Sequence, residues 1–326
     1  MAHNLNFNES KKEFSFFSTE KAWHNLGQIV TGAQTAAEAI ELAHLDFEVK
    51  LKSLFIDKYD SPLQSELVLN PKRLQEHFAT MRTDTGDVLG VVQKRYHIVQ
   101  NKDVFSFFDN VIDTEEDAIF ETAGALGLGE RIFLTAKMPH HIDIKGIDDP
   151  TEVYILLTSS HDGSGSIVAG ITPIRVVCNN TLNAALHGLK NKISIRHTAN
   201  AKHNIKEAHK LIGITNMYVD SMSLVLNKMH KTYISDNVAK KLIEQVFQSQ
   251  KEDSTRIKNI REDVWKSYQI GVGQDNIVGT AYGLFNGISF YLSHKNYTSE
   301  SSRFKSLFLT SENKMQKAFN LLQTSL

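Results

Sequence analysis

One cysteine, five prolines and a formal net charge of -1 among 326 residues are the scarcities of this chain, and each excludes something. A lone thiol, Cys178, cannot close an internal disulfide, so no disulfide framework substitutes for a hydrophobic core. The opening stretch "MAHNLNFNESKKEF" has no apolar run of the secretory type, which with the cysteine count leads to the expectation of a reducing, cytoplasmic setting. No apolar run reaches the roughly 18 residues that cross a bilayer; the longest candidate, "IVGTAYGLFNGISFYL", is interrupted by glycine and asparagine, and no membrane partner is expected. Few prolines and no low-complexity tract argue against a flexible linker.

What is present suits a folded protein. With 41% hydrophobic and 22% charged residues, the chain is long enough for one large domain or two ordinary ones. The near-zero net charge hides a polarised distribution. Residues 107–160 hold 11 acidic against 3 basic side chains, whereas residues 171–231 hold 9 basic against 2 acidic, plus five histidines. Such a swing fits an anionic partner on the basic stretch, or docking between copies, with a solvated helix face as the plain alternative.

Residues 1–34 read as an irregular arm anchored by Trp23 and Leu26. "TAAEAIELAHL" follows as a short helix, with Thr35 as N-cap and Glu38 completing a capping box. "FEVKL" alternates with a period of two, and "HFATMRTDTGDVLGVVQKRYHIV" reads as a hairpin turning at "DTGD". "NKDVFSFFDNVI" has apolar residues at helical spacing. Two further hairpins turn at "GLGE" and "HDGSGS", and "NNTLNAALHGL" reads as a helix capped by Asn179 or Asn180. Beyond Thr198 the strand signals stop and four or five amphipathic helices follow, the first spanning roughly 199–233. The expectation is an α+β protein: an antiparallel meander sheet crossed by helices over 35–230, then an all-helical region over 231–326.

Candidate chemistry has to be weighed against plainer roles. Cys178 beside Arg175 at a helix start would favour thiolate, yet it ends the apolar run "IRVVC" and no local signature sets a histidine and an acid around it, so a structural thiol is the stronger reading. "HHID" and "HTANAKH" contain ligand types without metal-site spacing, so neither a metal nor any cofactor is expected. "GALGLGER" and "HDGSGS" depart from nucleotide-binding fingerprints and read as turns, although the second could offer backbone N–H groups to a phosphate. The remaining signal is polar and basic. Arg175, Asn179, Asn180, Arg196, His197, Lys202 and Lys206 cluster in sequence, and Arg95 and Tyr96 follow an earlier strand, a mixture of charge and ring that suits single-stranded nucleic acid.

Several of these stretches also resemble a known family. "AWHNLG", "YHIVQN", "HDGSGS" with "TPIRVVCNNTL" and "IRHT" after it, and "GTAYGLFNGISFYLSH" are similar, in order, to the phage/plasmid-like protein family, also called domain of unknown function 932. Its most distinctive motif is matched by Arg175, Cys178, Asn179 and Thr181; the last segment departs, since the family often has a tryptophan where this chain has "AYGLFNG". The resemblance implies a mobile-element setting in bacteria and no established activity. The order hairpin, hairpin, helix is similar, at fold level only, to ring-forming single-strand annealing proteins. The expectation is a non-enzymatic protein that binds nucleic acid, single-stranded DNA above all, as a homo-oligomer. Its rivals are a protein-interaction module acting on a host factor and an enzyme using the Cys178 corner or the "SHDGS" loop.

Overall fold

A computed structural model describes residues 4–22, 25–31, 33, 35–56, 71–112, 118–139, 141–147, 151–172, 182, 192–206, 211–248, 254–271, 273–294 and 311–324. The chain divides into two compact units, one formed essentially by residues 3–139 and 153–215, the other by 140–152 and 216–326. An α+β architecture is what the described elements form, with helices following the sheets in sequence.

The first unit is built on a seven-stranded sheet. Its spatial order is β12 (Lys192–Ile195), β11 (Ile167–Thr172), β10 (Tyr154–Ser160), β9 (Arg131–Lys137), β8 (Ile119–Leu126), β3 (Phe16–Ser18) and β4 (Gln28–Ile29). All pairs are antiparallel except β3 with β4. The hairpins expected at "GLGE" and "HDGSGS" are β8–β9 and β10–β11. β9 shows why the sheet is a middle layer: its residues Ile132 to Ala136 are all buried, and the alternation sends Ile132, Leu134 and Ala136 into one apolar cluster and Phe133 into another. Strand sequences buried on both faces lose the simple polar alternation.

The opening segment is not an irregular arm. Phe16 and Phe17 point to opposite faces of the sheet, both fully buried, and Phe16 meets the Phe133 ring at 6.2 Å. Their partners, Gly124 and Ala123, lie over a hundred residues later, so a three-residue strand gives no local signal strong enough to read. A short ribbon of β1 (Phe7–Asn8) and β2 (Glu13–Phe14) precedes it.

A second sheet of three strands, β5 (Val49–Ile56), β6 (Lys72–Arg82) and β7 (Val88–Gln93), contains the hairpin expected at "DTGD". Helix α1 (Ala36–Leu42) begins where the capping box placed it, with the Thr35 side chain accepting from the Glu38 backbone N–H at 3.2 Å. α2 (Asn101–Ile112) follows β7. The helix expected over "NNTLNAALHGL" lies outside the described residues except for buried Leu182. The long helix expected from 199 onward is described as α3 (Ala201–Lys206) and α4 (Leu211–Lys231).

The second unit contains α4 from Asn216 on, α5 (Asp236–Val246), α6 (Thr255–Ile270), α7 (Ala281–His294) and α8 (Ser311–Thr324). Among the described residues no helix is long and apolar enough to cross a membrane. α6 and α7 meet at a glycine: a Cβ on Gly287 would sit 2.6 Å from Cα of fully buried Tyr268. That tyrosine's hydroxyl accepts from the Gly279 N–H at 2.8 Å, so its position is fixed at both ends. Gly287→Ala therefore forces two backbones apart and should cost about 1–3 kcal/mol, the usual range for overpacking. Urea unfolding followed by helical circular dichroism measures it, and an unshifted midpoint would contradict this packing.

Candidate functional site

Two sequence segments a hundred residues apart meet at the end of β7. The chain leaves β7 in a turn closed by Tyr96 N–H donating to Gln93 O at 2.9 Å, and the next residue, His97, donates its N–H to His197 O at 3.1 Å. The Tyr96 ring then stacks on the His197 ring, centroids 4.8 Å apart and planes 21° from parallel. Its hydroxyl donates to Ser160 O at 2.9 Å. Three elements are thus tied by one side chain: the turn after β7, the end of β10 and the residues after β12. Burial first, then the Asp162 charge, hold the phenol well above its ordinary pKa, so it stays a donor.

Ser160 leads into the loop His161–Ser166, which closes on itself. Asp162 Oδ1 accepts from Ser160 Oγ at 2.7 Å and from Ser164 N–H at 2.8 Å, and Gly165 N–H donates back to Ser160 Oγ at 3.0 Å. Those two N–H groups are therefore already used, and the loop behaves as a turn rather than as a phosphate cradle. Burial works to raise the Asp162 pKa, but the hydrogen bonds from Ser164 and Ser160 and the Arg131 charge outweigh it and keep the carboxylate ionised. The loop lies hard against the three-stranded sheet. A Cβ on Gly90 of β7 would come within 2.6 Å of Asp162 Cα, so only glycine permits this approach.

His161 is the most constrained group. It is completely buried; its backbone N–H donates to Glu130 O at 2.7 Å, and its Nε2 lies 2.7 Å from Asn101 Oδ1. Asn101, the first residue of α2, uses its amide nitrogen to donate to Leu45 O at 2.8 Å, so its oxygen faces the histidine. The imidazole must then donate through Nε2–H, and in the neutral ring Nδ1 is left as a bare lone pair. Among the described residues Nδ1 has no hydrogen-bond partner. Burial above all, with His197 and Arg82 adding like charge against the opposing pull of Asp162, depresses the His161 pKa to about 4. His197 is also lowered by burial, and neither of its ring nitrogens has a partner among the described residues. Buried polar atoms left unpaired cost roughly 1–3 kcal/mol each, so this centre is held in place by its surroundings.

Behind it stands Arg82, also buried. Its guanidinium forms a two-pronged pair with Asp84 at 3.0 and 2.7 Å, donates to Leu128 O at 2.8 Å and lies 3.9 Å over the Phe47 ring, which meets His161 edge-on. Arg82 did not stand out in sequence, and His161 and Asn101 did so only as members of the "SHDGS" loop and the "YHIVQN" motif. Arg82 sits beside a hairpin turn, Asn101 at a helix start and His161 at a strand end, each with an adequate local role.

The predicted residues scatter accordingly. Arg95 and Arg196 are exposed, on either side of the His97–His197 backbone bond. His197 is buried and so does not join those exposed cations. Tyr96 is half-buried, with one face and its hydroxyl engaged, so it is no open platform for a base. Lys202 is exposed and pairs with Asp103 of α2 at 2.7 Å. Lys206 ends α3. Arg175, Cys178, Asn179 and Asn180 lie outside the described residues. Among the described residues no three His, Cys, Asp or Glu side chains are placed to share a metal ion.

The family model described as Domain of unknown function (DUF932) fits residues 88–319, more than two thirds of the chain and all of the Tyr96, His161 and His197 segments. Neither a curated protein nor a solved structure matches.

The buried imidazole makes stability depend on acidity. Because the folded pKa of His161 lies below the unfolded value of ~6.5, the unfolded chain binds more protons between the two, and stability falls as pH drops from about 6.5 towards 4. The loss should be on the order of 3 kcal/mol for His161. Urea titrations at pH 7 and pH 5 should show about 2 kcal/mol of it, since the folded ring is still mostly neutral at pH 5, and His161→Gln, which keeps a donor for Asn101, should flatten the dependence. Equal stability of the native chain at both pH values would contradict a buried neutral ring.

Proposed function

We propose that this chain, which belongs to the family described as Domain of unknown function (DUF932), is a non-enzymatic nucleic-acid-binding protein that takes single-stranded DNA as a homo-oligomer. The observation that supports this reading is the meeting of the Arg95–His97 turn with the Arg196–His197 segment, which brings together two segments that each carry an exposed arginine next in sequence to a member of the stacked Tyr96–His197 pair. Guanidinium groups pair with phosphates bidentately and supply the sequence-independent part of binding. In this reading Tyr96 and His197 position the cations, and Arg175, Asn179 and Asn180, which lie outside the described residues, are further phosphate contacts on the strength of the sequence alone. A phage or plasmid-type setting and a cytoplasmic location belong to the proposal, supported by the motif resemblance and the single cysteine.

Arg95→Ala and Arg196→Ala should each weaken binding, whereas His161→Gln, a change at a buried residue, should leave it intact.

The direct test is fluorescence anisotropy with a labelled single-stranded oligonucleotide at several salt concentrations. Affinity should fall as salt rises, and each arginine removed should lower the slope of log K against log salt by about 0.7. Absent or salt-independent binding by the native chain overturns the proposal.

A further inference from the structure

We infer that the outer end of the β5–β6 ribbon is a second contact for single-stranded nucleic acid, an extension that rests on the binding function proposed above. Pairing between β5 and β6 is regular from Val49↔Arg82 to Ser53↔Phe78, then shifts, and resumes at Phe55↔Arg73 and Ile56↔Lys72. β5 advances two residues across the shift while β6 advances five, so the ribbon is bulged there. Directly opposed residues share a face of a ribbon and neighbours along a strand alternate. Phe55 and Arg73 therefore occupy one face and Ile56 and Lys72 the other, so each face pairs an apolar side chain with a cation.

All four are exposed: Phe55 retains 56% and Ile56 47% of its accessible surface, and Lys72 and Arg73 are open to solvent. No ion pair involves Lys72 or Arg73 among the described residues. Large apolar groups exposed side by side with unneutralised cations mark a surface that is completed by something else. Charge sets the partner: the described residues of the three strands carry exposed Lys50, Lys52, Lys72 and Arg73 against Glu76 alone; Lys50 faces Glu48 at 3.9 Å and Glu76 faces Lys94 at 3.4 Å, which leaves Lys52, Lys72 and Arg73. A polyanion with flat apolar faces satisfies both demands, phosphates on the cations and a base on the Phe55 ring.

Continuity with the first contact supports the same occupant. His77 of β6 pairs with Gln93 of β7, and Lys94 N–H donates to Glu76 O at 3.0 Å, so the ribbon runs directly into the turn that carries Arg95. Arg73 lies four residues from His77, at most about 13 Å at the extended rise of ~3.3 Å per residue. One strand of nucleic acid can follow the ribbon from Arg73 to Arg95.

The experiment is anisotropy with the same oligonucleotide on the native chain, Phe55→Ala, Phe55→Trp and the double variant Lys72→Ala/Arg73→Ala, with mass by light scattering and circular dichroism on each. Phe55→Ala should weaken binding about tenfold and Phe55→Trp restore it, as loss and return of a stacking ring require. The double variant should lower the salt slope by about 1.4 at unchanged mass and fold. If the native chain binds and none of these variants changes affinity or slope, the ribbon inference falls while the function proposed from Arg95 and Arg196 stands. If Phe55→Ala changes the mass but not the affinity, the ribbon joins copies of the chain and the inference is equally overturned. Failure of the native chain to bind at all removes the parent proposal.

Discussion

The hydrogen bond from His161 Nε2 to the Asn101 carboxamide joins the first residue of α2 to the end of β10, and much of the first unit's chemistry hangs on it. Asn101 can accept there only because its amide nitrogen is occupied by Leu45 O, so the backbone before β5 sets the orientation of a side chain on α2, which sets the tautomer of a histidine on the sheet. A chain of this kind has little slack. Each member is buried, and a member turned the wrong way leaves two polar groups unmatched in a low-dielectric interior. Tyr96 supplies a parallel connection to the neighbouring Ser160, and the two connections together fix the Asp162 loop in a single geometry.

In the proposed binding reading, that rigidity has a use at the surface. Arginine binds phosphate well when its backbone is fixed and its head is free, since less freedom is lost on contact. Arg95 and Arg196 have such backbones, one in a turn anchored by Tyr96 and the other beside a buried histidine. The buried partners carry no exposed charge themselves. The DUF932 family model covers Tyr96, Asn101, His161 and His197, whereas Leu45, Arg82 and the strands β5 and β6 precede residue 88.

Local elements were readable from the sequence because local chemistry fixes them. Thr35 with Glu38, "DTGD", and "HDGSGS" announce a helix start and two turns through short-range hydrogen bonding and backbone freedom. Long-range pairings were not. Phe16 and Phe17 look like an exposed apolar cluster until Gly124 and Ala123 are set beside them. Arg95, Tyr96, Arg196 and His197 were selectable by residue type, but type does not distinguish the exposed arginines from the buried histidine, because burial depends on which ring arrives from a hundred residues away. His161 was visible only as part of the "SHDGS" loop, and its pairing was hidden for the same reason. Its strand-end position is ordinary, and only Asn101 makes it unusual.

The insertion of β3 between β8 and β4 has a consequence for how the chain reaches this state. β3 ends at Ser18, yet its antiparallel neighbour is completed only at Leu126, so β3 cannot make that pairing until five more strands, β4 to β8, and the helices α1 and α2 have been synthesised. Until then Phe16 and Phe17 remain without their sheet partners on a nascent chain. Non-local closures of this sort are slow because loop entropy is lost before any contact compensates. The order of synthesis therefore leaves the Phe16–Phe17 segment without its β8 partner for far longer than a strand of a local hairpin would wait.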